Sequence, residues 1–267
     1  MIRLVTFDAL HTIITPRLPI YAQYSQVFAP YLGVLPQESI KHSFKIALKS
    51  VQKEHPSYNK GAEVWWSDVI RRTALGAGGN EQALDLYLSN IVQQLMVRFN
   101  SKEGYKAFAD AIPTIHKLHS SFRIRTAVVS NGDSRIRNVL KDLRFPSTLQ
   151  PVVLSEKEGV EKPAREIFMK TLELVNQDED CIQNPIHPRQ CLHIGDELLC
   201  DYHGAMKSGW NALLLRRPGP DGEHEHKEVD EALDGVNIIQ GLDEATTWIR
   251  EEGYKVQEVQ PRGFQDD

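Results

Sequence analysis

Three cysteines in 267 residues, Cys181, Cys191 and Cys200, are too few for a disulfide framework, and their number is odd. They lie ten and nine positions apart, without the CxxC spacing of a zinc or redox site. Ordinary thiols in a reducing compartment are expected. Positive charge is also in short supply: 31 Lys and Arg stand against 36 Asp and Glu, for a formal net charge of -5. No long basic block offsets that balance, so there is no electrostatic footprint for nucleic acid or an anionic membrane. No apolar run approaches the length of a membrane span. The chain enters a strand pattern containing Asp8 almost at once, which argues against a signal peptide. The expectation is an intracellular protein, cytoplasmic or nuclear, without a nucleic-acid or membrane partner. Internal repeats are missing too.

What is present is a sizeable apolar fraction, 41%, enough for one large domain or two smaller ones. Residues 2–7 form a short apolar run of strand formers that reads as a buried parallel strand with Asp8 at its carboxyl end. Residues 15–110 carry helical patterns instead, over 21–32, 36–53, 63–74 and 81–99, and no strand signal. Their apolar stripes are Tyr24, Val27, Phe28 and Tyr31, then Ile40, Phe44, Ala47, Leu48 and Val51, then Leu84, Leu88, Ile91, Val92 and Leu95. Trp65-Trp66 is read as packing in preference to the lining of a cleft. Beyond residue 110 strands alternate with helices: strands over 123–129, 151–154, 191–194, 211–215 and 236–239, helices over 112–120, 133–143 and 163–175. Such alternation predicts a parallel sheet. The expected fold is α/β, a Rossmann-like core of residues 1–14 and 111–267 interrupted by an α-helical cap of residues 15–110. Residues 217–231, with His224-Glu225-His226, read as an exposed polar loop, and the chain from Tyr254 as a mobile tail.

The chemistry of such a sheet collects at the carboxyl ends of its strands. Asp8 there is either a site residue or the opening of a turn. Ser130-Asn131-Gly132-Asp133 outlines an anion site, with a hydroxyl, a glycine turn and a helix start, but would serve equally as a helix cap. Lys162, in Glu161-Lys162-Pro163, would by itself be a surface lysine. Gly195-Asp196-Glu197 and Asp201 gather hard oxygen ligands of the kind that suit Mg²⁺. Each signal is weak alone; their order and placement are what carry weight.

Together these segments resemble the haloacid dehalogenase-like (HAD) superfamily, in the subgroup with a helical cap inserted after the first strand. Its four motifs correspond to Asp8 to Thr12, Ser130-Asn131, Lys162, and Gly195-Asp196 through Asp201. The resemblance implies covalent catalysis, with Asp8 attacking phosphorus to give an aspartyl-phosphate. It implies Mg²⁺ held by the Asp8 carboxylate, the Leu10 carbonyl and Asp196. Ser130 and the following backbone N–H groups, at Asn131 and Gly132, would hold phosphoryl oxygens. Lys162 would offset charge on Asp8 and the phosphoryl group, Asp201 would orient Lys162, and Thr12 would help fix the loop. A weak carboxylate nucleophile needs just such neutralisation and positioning.

One position departs from that pattern. The family's phosphatases carry a second Asp two residues after the nucleophile, as acid and then base, and here Leu10 stands there. On an extended segment the two side chains would face the same side, so Leu10 removes the proton carrier. That loss costs about 10²- to 10⁴-fold in rate. His11, where the family usually has Gly, is the surrogate base to consider, although its side chain starts on the other side. Three functions follow: a weakened Mg²⁺-dependent phosphatase of small phosphorylated metabolites, a catalytically impaired module that binds phosphate or a protein partner, and a dehalogenase-like attack on carbon. The third fits least, because those relatives are metal-independent and Asp196 with Asp201 suits a cation.

Overall fold

The computed structural model describes residues 1–222, 227 and 230–258, with side chains to residue 251. His224-Glu225-His226 lies outside the described residues. Six parallel strands form the central sheet: β1 (Leu4–Phe7), β4 (Arg125–Ser130), β5 (Leu149–Leu154), β6 (Cys191–Gly195), β7 (Asn211–Leu215) and β8 (Ile238–Ile239). Between the first two in sequence lie β2 (Ile14–Pro16) and β3 (Tyr105–Ala107), paired separately as an antiparallel ribbon. The order across the sheet is β5-β4-β1-β6-β7-β8. The chain thus leaves central β1, builds one half toward β5, and returns to build the other from β6. The crevice at such a reversal, outside the strands' carboxyl ends, is where open α/β sheets bind ligands.

Alternation along the strands creates two cores. Val5, Phe7, Val128, Leu192, Ile194 and Leu213 face one side and Leu4, Ala127, Val129, Val153, Ala212 and Leu214 the other, all fully or nearly fully buried. The first layer is covered by α5 (Ala111–Ser120), α6 (Arg135–Asp142) and a C-terminal helix, Glu244–Glu258; the second by α8 (Arg165–Asn176) and residues 198–210. A short turn of helix, α7 (Ser155–Glu158), links β5 to the Lys162 loop.

Four longer helices precede these in sequence: α1 (Ile20–Leu32), α2 (Gln37–Glu54), α3 (Ala62–Gly76) and α4 (Glu81–Arg98). Their buried stripes meet in cores of their own, one around Tyr24, Phe28, Ile40, Leu84, Ile91 and Leu95 and a smaller one around Ala47, Val51, Trp65 and Val69. Local chemistry sets their ends. Gly33 takes φ +74° after α1, a conformation glycine tolerates without strain, and the Asn80 side chain accepts a 2.9 Å bond from Ala83 N to cap α4.

Three expectations are corrected. Strands do occur between residues 14 and 107: β2 and β3 run side by side where the chain enters and leaves the four helices, extended by Arg17 N to Gly104 O at 2.9 Å and Phe108 N to Ile13 O at 3.1 Å. Each is three residues long and β2 contains Pro16, so nonlocal pairing rather than pattern makes them strands. The Glu244–Glu258 helix was unanticipated and continues past Tyr254, where a tail was expected; Ala245 and Ile249 seat it on the sheet. Residues 217–231 are not uniformly exposed, since Arg217 is buried and Arg216 pairs with Glu231 at 2.7 Å.

Truncating Leu4, fully buried in the central strand, tests this layering. Leu4→Ala should lower the unfolding free energy by about 2–5 kcal/mol in urea denaturation. A loss below about 1 kcal/mol would mean that the strand does not have packed helices on that face.

Candidate active site

The carboxyl ends of β1, β4 and β6 bring Asp8, Ser130 and Asp196 to one crevice. At its centre lies Lys162, whose buried ammonium donates to Asp8 Oδ1 at 2.7 Å and to Asp201 Oδ1 at 2.5 Å. The buried Ser130 hydroxyl, at the end of β4, lowers the Asp8 carboxyl slightly as a neighbouring polar group. Lys162 reaches this place because Asn131 clamps its peptide: Asn131 Oδ1 accepts from Lys162 N at 2.7 Å and Asn131 Nδ2 donates to Lys162 O at 2.9 Å. The Asn131 side chain therefore ties two loops together and is itself fully engaged in that clamp.

The electrostatics follow from one cation serving two carboxylates. Burial pushes the Asp8 carboxyl above its ordinary range, against the opposing pull of Lys162. Burial also opposes ionisation of Asp201, but there the attraction of Lys162 and the bond from His193 prevail and hold it low. Lys162 loses to burial and gains more from Asp201 and Asp8, so its ammonium is held well above the usual lysine range.

Asp201 comes from Leu198–His203, a turn wound wider than an α-helix, in which Tyr202 N bonds back to Glu197 O at 3.2 Å. Both Asp201 oxygens are engaged: Oδ1 accepts from Lys162 and from His193 Nε2 at 3.0 Å, and Oδ2 from Glu197 N at 2.9 Å. Gly195 is required beside it, because a Cβ there would stand 2.2 Å from Asp201 Cγ. At Gly132 a Cβ would meet only the tip of the Ile136 side chain, at 2.3 Å, which a rotamer change can relieve. Thr12 Oγ1 donates to Asp196 Oδ1 at 3.3 Å, so Thr12 braces Asp196 as well as its own loop.

Acceptor atoms of Asp8, Asp196 and Asp201 all lie within 4.8 Å of one another. Oxygens around one Mg²⁺ are about 3–4 Å apart, so hard ligands at this spacing fit a small divalent cation with slight adjustment. Because both Asp201 oxygens already accept from Lys162, His193 and Glu197 N, Asp8 and Asp196 are the carboxylates better suited to hold it.

A family description reading haloacid dehalogenase-like hydrolase matches residues 2–209. The chain belongs to the haloacid dehalogenase-like hydrolases. A Schizosaccharomyces pombe protein named only as an uncharacterized hydrolase is 30% identical over 219 residues, spanning 79% of this chain and 89% of its own length. Human haloacid dehalogenase-like hydrolase domain-containing protein 3 is 26% identical over 221 residues, 81% of this chain and 83% of that protein. Among solved structures, a magnesium-bound HAD hydrolase of Bacillus subtilis superposes with a TM-score of 0.68 at 17% identity, over 93% of this chain and 99% of that one.

Two parts of this HAD site depart from sequence expectation. Ala9 lies in a bend whose carbonyl accepts from both Ile13 and Ile14 at 3.0 Å, so the segment from Asp8 to Leu10 is not extended and the same-side argument does not hold. The absence of a carboxylate at Leu10 is unaffected by that change. His11 takes φ +62°, the left-handed region where glycine is favoured, at a cost of about 1 kcal/mol. Sequence reasoning also missed the supports. Arg216 Nη1 donates to the Asp196 carbonyl, and Arg217 pairs with Asp110 at 2.9 Å, donates to Thr12 O at 3.1 Å and stacks on Phe108 at 3.9 Å. Their signal was their place, directly after a strand end.

The helices meet the site through Trp66. Its Nε1 donates to Asp133 Oδ2 at 2.7 Å, while Arg135 grips both oxygens of Asp133 and lays its guanidinium 4.6 Å from the Trp66 ring. Burial opposes the Asp133 charge, yet Arg135 keeps its carboxyl low. Trp65 is buried among the helices. Both tryptophans thus pack, and a cavity of about 20 Å³ lined by Tyr24, Trp66, Met96, Tyr105 and Arg135 has room for about one water.

Gly195→Ala tests how tightly Asp201 is held. The clash should destabilise the protein by about 1–3 kcal/mol in thermal or chemical denaturation. Unchanged stability would show that Asp201 can move aside freely.

Proposed function

We propose that this chain is a Mg²⁺-dependent hydrolase of small phosphorylated molecules, working through an aspartyl-phosphate on Asp8, with low activity because Leu10 replaces the second Asp. The observation that carries this reading is the buried Lys162 ammonium held between Asp8 and Asp201. Positioned donors around a carboxylate are what phosphoryl transfer to it requires. Asp8 attacks phosphorus and the ester oxygen departs with the bonding pair; water then displaces Asp8 from phosphorus, giving phosphate. Ser130 and the N–H groups of Asn131 and Gly132 hold the phosphoryl oxygens while Lys162 balances their charge.

Asp8, Asp196 and the Leu10 carbonyl would hold Mg²⁺, which when bound offsets the negative charge of nucleophile and phosphoryl group. The magnesium in the Bacillus subtilis relative supports that assignment. In this reading residues 1–14 and 111–267 are the core, and residues 15–110 are a cap that excludes water and selects the substrate. The net charge of -5 disfavours a nucleic-acid substrate, and the ordinary thiols support an intracellular setting, cytoplasmic or nuclear. Among the described residues no helix is long and apolar enough to cross a membrane.

Leu10 itself favours a second reading, a catalytically impaired module that binds a phosphorylated ligand or a protein partner. Charge neutralisation at Asp8 needs no proton carrier, whereas leaving-group departure and water attack do.

Hydrolysis of p-nitrophenyl phosphate by wild type, Asp8→Asn and Leu10→Asp, with and without Mg²⁺, separates the two. The hydrolase reading expects slow Mg²⁺-dependent turnover lost in Asp8→Asn and raised about 10²-fold or more in Leu10→Asp. A silent wild type that binds phosphate, with activity appearing only in Leu10→Asp, would favour the binding module.

A further inference from the structure

We infer that His193, set by Thr6, is a positioning residue that immobilises Asp201 and thereby keeps Lys162 aimed at Asp8. The inference rests on the role given to Asp8 above, though not on its rate of turnover.

His193 sits in the middle of β6, fully buried, on the face covered by α8, its ring edge-on to Phe168 at 5.3 Å. Leu4, Val129 and Leu214 line the same layer. An imidazole in such surroundings is costly unless both nitrogens are bonded. Both are: Nδ1 lies 2.7 Å from Thr6 Oγ1 and Nε2 lies 3.0 Å from Asp201 Oδ1. The first contact is written into strand pairing, because Thr6 and His193 are register partners on β1 and β6.

The direction of the bonds follows from Asp201. Held ionised by Lys162, its carboxylate only accepts, so Nε2 carries the proton. Burial disfavours the imidazolium, leaving Nδ1 as acceptor for the Thr6 hydroxyl. The result is one directed chain: Thr6 donates to His193, His193 donates to Asp201, and Lys162 donates to both Asp201 and Asp8. Without the imidazole, Asp201 would keep Lys162 on Oδ1 and Glu197 N on Oδ2 but lose the bond that fixes Oδ1 from the β6 side, so Oδ1 could shift toward the vacated space and draw the ammonium from Asp8. His193 touches no reacting atom in the proposed chemistry. It acts through Asp201.

The test uses the full chain labelled with ¹⁵N-histidine, His193 being assigned by its loss in His193→Gln. Two-bond ¹⁵N–¹H NMR should show the Nε2–H tautomer; an Nδ1–H tautomer overturns the inference. A crystal structure of His193→Leu should show Lys162 Nζ out of hydrogen-bond reach of Asp8, and an unmoved ammonium overturns it. With p-nitrophenyl phosphate and Mg²⁺, His193→Leu should lower kcat about 10- to 100-fold with KM little changed. His193→Gln, which can still offer an N–H to Asp201, should recover most of that loss; equal defects in both variants would mean a packing role only and overturn it. Should His193→Leu fail to fold, Thr6→Val carries the same structural and kinetic readouts, with a smaller displacement and loss expected and none overturning it. If the wild type shows no turnover, the hydrolase reading fails, while the NMR and crystallographic results still decide the role of His193.

Discussion

One buried ammonium shared by two carboxylates is the constraint on which the site depends. Lys162 is 3% exposed and its partners Asp8 and Asp201 are 7% and 1% exposed, so each charge has lost most of its water. Pairs of this kind add little net stability, yet removing one partner typically costs about 3–5 kcal/mol because the other is left buried and uncompensated. Asp8, Asp196, Asp201 and Lys162 together carry a formal charge of -2, three negative against one positive, the complement of one divalent cation. That balance also explains the asymmetry between the two aspartates. Asp201 has the shorter bond to Lys162 and the added donors that hold it low, while burial, with the Asp201 charge beside it, pushes the Asp8 carboxyl up.

Holding these charges still requires help from every strand end around them. Asn131 binds the Lys162 peptide from the β4 side; His193 and Glu197 N bind Asp201 from the β6 side; Arg216 holds the Asp196 carbonyl from the end of β7. Arg217 extends the network away from the crevice. By engaging Thr12 O and Asp110 at once, it joins the Asp8 loop to the point where the chain returns from the four helices, and Asp110 in turn accepts from Leu242 N at 2.8 Å. Trp66 makes the opposite link, carrying a helix of that unit onto Asp133, two residues beyond Asn131. The four helices are thus tied to the core at both the Asp8 loop and the loop after β4.

Much of this was legible because it is periodic or sits at a strand end. The apolar run before Asp8, the stripes of the long helices and the alternation after residue 110 are local patterns, and each produced its element. Asp8, Ser130, Lys162, Asp196 and Asp201 were readable from their order after successive strands. The missed pieces are nonlocal. The Ile14–Pro16 and Tyr105–Ala107 ribbon exists only because two linkers happen to run together, and Arg217 looked like the start of a polar loop because nothing near it in sequence reveals Asp110. His193 was invisible for another reason. One histidine in an apolar strand is an ordinary observation until register places Thr6 opposite it and a wide turn returns Asp201 to its other nitrogen.

Leu10 separates two demands that the rest of the site meets together. Binding a phosphoryl group asks for fixed positive charge and donors, and in the proposed function Lys162, Ser130 and the loop after β4 would supply them without any proton changing place. Turnover asks for a proton to be given to the leaving oxygen and later taken from water. A leaving group that departs as a stable anion lifts the first requirement but not the second. On the proposed mechanism the missing carboxylate would weigh most heavily on release of the phosphoryl group from Asp8, so even a substrate able to phosphorylate the aspartate would meet a slow second half-reaction. About 3–5 kcal/mol of barrier, the equivalent of the usual general acid–base contribution, lies on that step. In the proposed chemistry the groups for capture stand beside a site that lacks the carboxylate for release, and that imbalance, more than the fold, would govern turnover.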